Sequence, residues 1–129
     1  MNMLYTRKTT KDIDAIGKRL EDAVKVQKFG ALGAIDLQAN TKDKGVEFKS
    51  PCRIYEVSNP HLAKQVLEND MSISTALACR LVVYQEGPTI TIATLPPTQT
   101  SLFNVPVLAL VAKEVEGSNI GMIDNTAVE

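Results

Sequence analysis

A strand that runs straight into a helix at Ser58-Asn59-Pro60-His61 is the sharpest constraint in this sequence. Asn is a strong N-cap, because its side-chain oxygen accepts from amides that the first helical turn leaves free. Pro fits the first helical position, where no N–H is required and φ is already helical. Leu62, Ala63, Val66 and Leu67 then supply an apolar face, and Asn69-Asp70 ends the helix. Upstream, Cys52 to Val57 alternates as a strand. It sets Cys52, Ile54 and Glu56 on one face and Arg53, Tyr55 and Val57 on the other. Strands and helices therefore alternate within one short chain.

The same reading extends in both directions. Asn2 to Arg7 reads as a short strand, and Thr9-Thr10-Lys11-Asp12 resembles a capping start. Ile13, Ile16, Leu20, Ala23 and Val24 recur at helical spacing, which predicts a helix over Lys11 to Lys28. Asp14/Lys18 and Glu21/Lys25 add i, i+4 pairs with the acid first. Gly17 inside that helix costs about 1 kcal/mol relative to Ala, so a neighbouring backbone is expected to pack close there. Phe29 to Leu37 reads as a strand with two glycines, and Gln38 to Lys44 as a short helix ended by Gly45 in a left-handed conformation. Val46 to Ser50 is a connection, and Ile73 to Ala78 is irregular. Cys79 to Gln85 and Thr89 to Thr94 form a hairpin around Glu86-Gly87-Pro88. A last helix is expected from Asn104 as cap through Val105 to Glu116. It is apolar around more than one stripe, so it packs on more than one side or enters a subunit interface. Ser118 to Glu129 reads as a frayed tail.

Composition narrows the function classes. The chain has 129 residues, 14 basic and 15 acidic, for a formal net charge of −1. A nucleic-acid binder normally carries a basic excess, so none is expected as a partner. The longest apolar run, Val105 to Ala112, is far short of the roughly 20 residues of a membrane span, and no signal sequence opens the chain. Two cysteines, Cys52 and Cys79, fit a reducing compartment. The expectation is one soluble, cytoplasmic domain over 1–129.

Several motifs together resemble the domain-of-unknown-function 302 family. They are Gly45-Val46-Glu47-Phe48, Ile54-Tyr55-Glu56-Val57-Ser58-Asn59-Pro60, and Leu77-Ala78-Cys79-Arg80-Leu81-Val82-Val83-Tyr84, with the likeness running over about 29–102. The Asn-Pro helix start and the Leu-x-Cys strand start, about 20 residues apart, are specific as a pair. The resemblance implies an α+β fold: a curved antiparallel sheet packed by two main helices, similar to half of the TATA-binding-protein fold, in the order β-α-β-(α)-β-α-β-β-α. It leaves 104–129 as a C-terminal helix and tail. It also implies a homodimer and a context in sulfur or redox metabolism, but no established reaction. Many relatives carry Cys where this chain has Ser58, and Leu-Pro-Cys where it has Leu77-Ala78-Cys79. A paired-cysteine device would therefore be half lost unless Cys52 lies near Cys79.

The candidate site residues are few. Cys79 is the candidate catalytic thiol, followed by Arg80, whose charge would favour a thiolate. In a strand, however, the two point to opposite faces. His61, the only histidine, sits in a first helical turn. Ser58 and Asn59 with the amides after them form a possible anion-binding helix start. Ser58, Asn59, His61, Cys79 and Arg80 are thus the candidate ligand-binding residues. Cys52, His61 and Cys79 lack metal-ligand spacing, so no metal is expected, and no cofactor is indicated. The favoured reading is a non-catalytic module that binds an unidentified small molecule or acts as an accessory. The alternative is a thiol-dependent redox protein or enzyme built on Cys79.

Overall fold

The structure is a computed structural model that describes residues 3–76, 78–99 and 106–127. Asn2, Leu77, Leu102, Asn104, Val105 and the last two residues of the expected tail lie outside the described residues. The elements follow the expected order: β1 Tyr5–Thr9, α1 Ile13–Val26, β2 Gly30–Asp36, α2 Leu37–Asp43, β3 Cys52–Ser58, α3 Pro60–Asn69, β4 Cys79–Glu86, β5 Thr89–Thr94 and α4 Pro106–Thr126. A 3-10 segment, Met71–Ala76, fills the stretch expected to be irregular. All five strands form one antiparallel sheet in the order β1-β5-β4-β3-β2.

Strand register decides which residues meet. Tyr55 pairs Leu81, Leu81 pairs Thr94, Val83 pairs Ile92, and Val57 pairs Cys79. These side chains share one face, and α1 and α4 cover it. Ile16 and Leu20 from α1 and Met122 and Ile123 from α4 join Val57, Leu81, Val83 and Ile92 in the main core. A second cluster of Val66, Ile73, Leu108, Val111 and Ala112 locks α3 and the 3-10 segment to the first half of α4. The opposite face of β4 carries Arg80, Val82 and Tyr84. Beside them Thr91 and Ala93 are buried as well. Their register explains it: Thr91 sits between Tyr84 and Lys8, and Ala93 between Val82 and Thr6, so larger neighbours shade these small side chains.

Four expectations are corrected. β1 starts later and runs to Thr9, and Asp12, rather than a threonine, caps α1, accepting from the amides of Asp14 and Ala15. Thr9 closes the strand instead, buried beside β5. The close neighbour of Gly17 is a side chain and not backbone: a Cβ there would stand 2.5 Å from the Tyr55 hydroxyl. Finally, α4 does not end at Glu116. It continues to Thr126, and Asn119, Met122, Ile123 and Thr126 are fully buried where a frayed tail was expected. Val115, Asn119, Met122, Ile123 and Thr126 recur at helical spacing, but two of them are polar, which hid the stripe.

α2 and its Gly45 stop hold as expected: Asp36 caps the helix and Gly45 has φ +79°. α4 packs into both clusters, as an over-apolar helix must.

Candidate functional site

The start of β4 is the point where the sheet presents two concave surfaces back to back. Successive residues of a strand face opposite sides, so Cys79 points to the helices and Arg80 to the open face. Cys79 borders both hollows.

On the helix side, α3 and α4 leave a crevice over the end of the sheet. Its lining includes Ser58, Asn59, Leu62, Cys79, Val111 and Val115, and about 30 Å³ is open to a water-sized molecule. The Asn-Pro junction positions its rim. Asn59 Oδ1 accepts from the amides of His61 and Leu62, at 3.0 and 3.2 Å, so α3 begins where the sequence requires. Those two amides are therefore already taken, and the anion-binding reading of this helix start loses its donors. Burial pushes the Cys79 thiol pKa up, and the nearby Asn119 side chain opposes that only in part. Cys79 is thus held as a neutral thiol, the form that is not nucleophilic.

On the open face lies a groove of about 440 Å³, bordered by Leu4, Arg80, Val82, Tyr84, Ala93 and Leu95. That volume lies within the range of small-molecule sites. Its walls are mostly apolar, and Arg80 stands exposed at its edge with Glu56 opposite it on β3. A third hollow, of about 800 Å³ between α2 and residues 45–49, mixes charges of both signs, among them Asp36, Lys42, Glu47 and Lys49.

The five expected site residues are therefore divided. Ser58, Asn59 and Cys79 meet at the crevice, Arg80 belongs to the groove, and His61 is exposed on α3 and borders neither. Cys52 pairs Tyr84 on the open face, five strand positions from Val57, which pairs Cys79 on the helix face. The two thiols, both free, cannot meet across the sheet. Burial, with Asp36 nearby, also raises the Cys52 pKa. Among the described residues, no three His, Cys, Asp or Glu side chains gather as a metal site would require. Among them too, no helix is long and apolar enough to cross a membrane. Asn119 was missed by the sequence reading. The only signal for it is a polar residue inside the stripe that α4 buries.

A family model described as "Domain of unknown function DUF302" matches residues 5–126. The chain belongs to this family. The DUF302 match is wider than the 29–102 stretch whose motifs carry the resemblance, and it takes in α1 and α4, the helices that build the core. The crystal structure of an uncharacterized conserved DUF302 protein from Bacillus stearothermophilus superposes with a TM-score of 0.89 at 31% identity, covering 97% of this chain and 98% of that one. No curated protein matches the chain.

Proposed function

We propose that this DUF302 chain is a non-catalytic binding module whose open-face groove takes a small apolar molecule with an anionic end. The observation that carries the reading is the groove itself: about 440 Å³ of mainly apolar space with the Arg80 guanidinium at its edge. Val82, Tyr84 and Leu95 would cover the hydrocarbon, and Arg80 would hold the charge through charge-assisted hydrogen bonds. The thiol-dependent alternative is less well supported, because burial pushes the pKa of the half-buried Cys79 thiol up and Cys52 lies on the other face.

Titration calorimetry with octanoate and octanol tests the proposal. Octanoate should bind the stronger, and Arg80→Gln should weaken octanoate about tenfold while leaving octanol unchanged. Equal binding of the two, or octanoate binding indifferent to Arg80, would refute it.

We also propose a homodimer, as the family resemblance implies, in the cytoplasm, where unpaired thiols are stable. All seven residues of β2 are exposed at a sheet edge, and none but Asp36 is charged. Edges left so unguarded offer a strand to pair. Sedimentation equilibrium at micromolar concentration decides this, since a monomer contradicts it. A link to sulfur or redox metabolism comes from the resemblance alone.

A further inference from the structure

Residues 30–50, which are β2, α2 and the connection after it, include no buried side chain, and none of them joins either core cluster. Ordering such a stretch costs backbone entropy that apolar burial within one copy does not offset. Its apolar side chains face outward instead. Leu32, Ile35, Val46 and Phe48 are exposed, and so is Val26 at the end of α1. These five are half of the ten large apolar side chains exposed among the described residues, so exposure is concentrated at this edge of the molecule.

The two edges of the sheet differ. β1 carries Arg7 and Lys8, and Arg7 is tied to Asp124 of α4 at 3.0 Å. Charge of that kind discourages pairing. β2 has no charge before Asp36. A bulge between Ala31 and Gly33 leaves Leu32 unpaired and exposed, and it limits a regular ladder to residues 33–36.

What fits this edge is a second copy of it. A two-fold axis normal to the sheet makes two β2 strands antiparallel. Centred on Ala34, it sets Gly33 against the partner's Ile35. No atom lies within 4 Å of where a Gly33 Cβ would stand, so the isoleucine has room. The same axis brings the Gly30 end of one strand to the Asp36 end of the other. Val26 closes α1 just before Gly30, on the helix side. Asp36 shares that side, because it pairs Arg53, which bonds Asp14 of α1. Asp36, Val46 and Phe48 are walls of the hollow of about 800 Å³ beside α2. The partner's Val26 therefore comes to that hollow. Charge agrees with self-association: Asp36, Asp43 and Glu47 balance Lys42, Lys44 and Lys49 over residues 30–50. The stretch is also as long as the roughly 20–30 residues that each partner gives to a standard interface.

We propose that residues 26–50 bind a second copy of this chain: the β2 edges join two sheets into one of ten strands, and Val26 of each copy enters the hollow between α2 and residues 45–49 of the other. This rests on the homodimer reading above and adds the surface, the axis and the hollow that the partner completes. The Arg80 groove, on β4, β5 and β1, stays open.

Sedimentation equilibrium at micromolar concentration tests it on the native chain, Ile35→Lys, Val26→Lys and, as a control, Leu110→Lys, which alters an equally exposed residue on α4. Circular dichroism checks that each folds. The native chain should be a dimer, Ile35→Lys and Val26→Lys should each raise its Kd tenfold or more, and Leu110→Lys should leave it unchanged. Neither Val26 nor Ile35 belongs to a core cluster, so both variants should fold, and Val26→Lys decides if Ile35→Lys does not. A monomeric native chain refutes the homodimer reading and this interface with it. A native dimer indifferent to both edge variants, or weakened as much by Leu110→Lys, refutes the interface and leaves the homodimer reading standing.

Discussion

Replacing Gly17 by Ala separates two effects of known sign. Gly17 lies inside α1, where Ala is favoured by about 1 kcal/mol because Gly loses more backbone freedom on folding. Against this, the new Cβ would stand 2.5 Å from the Tyr55 hydroxyl, a distance no unstrained pair adopts. Tyr55 is only 6% exposed and its ring packs in the core between α1 and β3, so the hydroxyl cannot swing away freely. Forcing extra volume into a packed site costs about 1–3 kcal/mol. The net expectation for Gly17→Ala is a loss of about 1 kcal/mol. In a Tyr55→Phe background the nearest side-chain atoms left are an Arg53 nitrogen at 3.5 Å and a ring carbon at 3.7 Å, both ordinary contacts. There the same substitution should gain about 1 kcal/mol, a coupling of about 2 kcal/mol between the two sites. Urea unfolding of the four proteins measures it, provided the m-value holds constant. A Gly17→Ala protein that is more stable in the native background, or equally destabilised in both, would refute the close-approach argument.

Three further outcomes are expected. Asn59→Ala removes the acceptor for the His61 and Leu62 amides and should cost about 1 kcal/mol in urea unfolding, with Asn59→Asp largely preserving stability. Tyr5 and Cys79 both have raised pKa values, Tyr5 first through its hydrogen bond to Asp124 and then through burial, Cys79 through burial. Folding thus favours their neutral forms, so the stability they contribute is intact below their ordinary values of 10.0 and 9.0 and declines as pH rises through the higher folded values; Asp124→Asn should blunt the Tyr5 part in pH-dependent melting. With a thiol reagent at neutral pH, Cys52 should react before Cys79. Mild oxidation should form no bridge between them, because they face opposite sides of the sheet.

Much of this fold was legible because its signals are local. The Asn59-Pro60 start, the Gly45 stop, and the Glu86-Gly87-Pro88 turn each act within a few residues, and the structure has all three. What escaped was decided at a distance. Gly17 reads as a helix defect until Tyr55, brought in by β3, fills the space above it. Asn119 and Thr126 interrupt an apolar pattern that would otherwise have carried α4 past Gly117, and only the packed sheet explains why the helix continues. The site was half legible. Strand periodicity separated Cys79 from Arg80, but no spacing in the chain announces the groove, whose walls come from β1, β4, β5 and the segment after it.

The strand order has a consequence for how the chain is made. β2 to β5 pair in sequence order, β2 with β3, β3 with β4 and β4 with β5, so these four strands can zip up in turn as a nascent chain emerges. β1, synthesised first, has no partner until β5 exists. Its bond from Tyr5 to Asp124, at 2.5 Å, spans 119 residues and must wait for the end of α4. The first of these strands to be made is thus the last to find its place. Until then the far edge of β5 stands bare, and the inward faces of Ile90 and Ile92 lack the helix that finally shelters them.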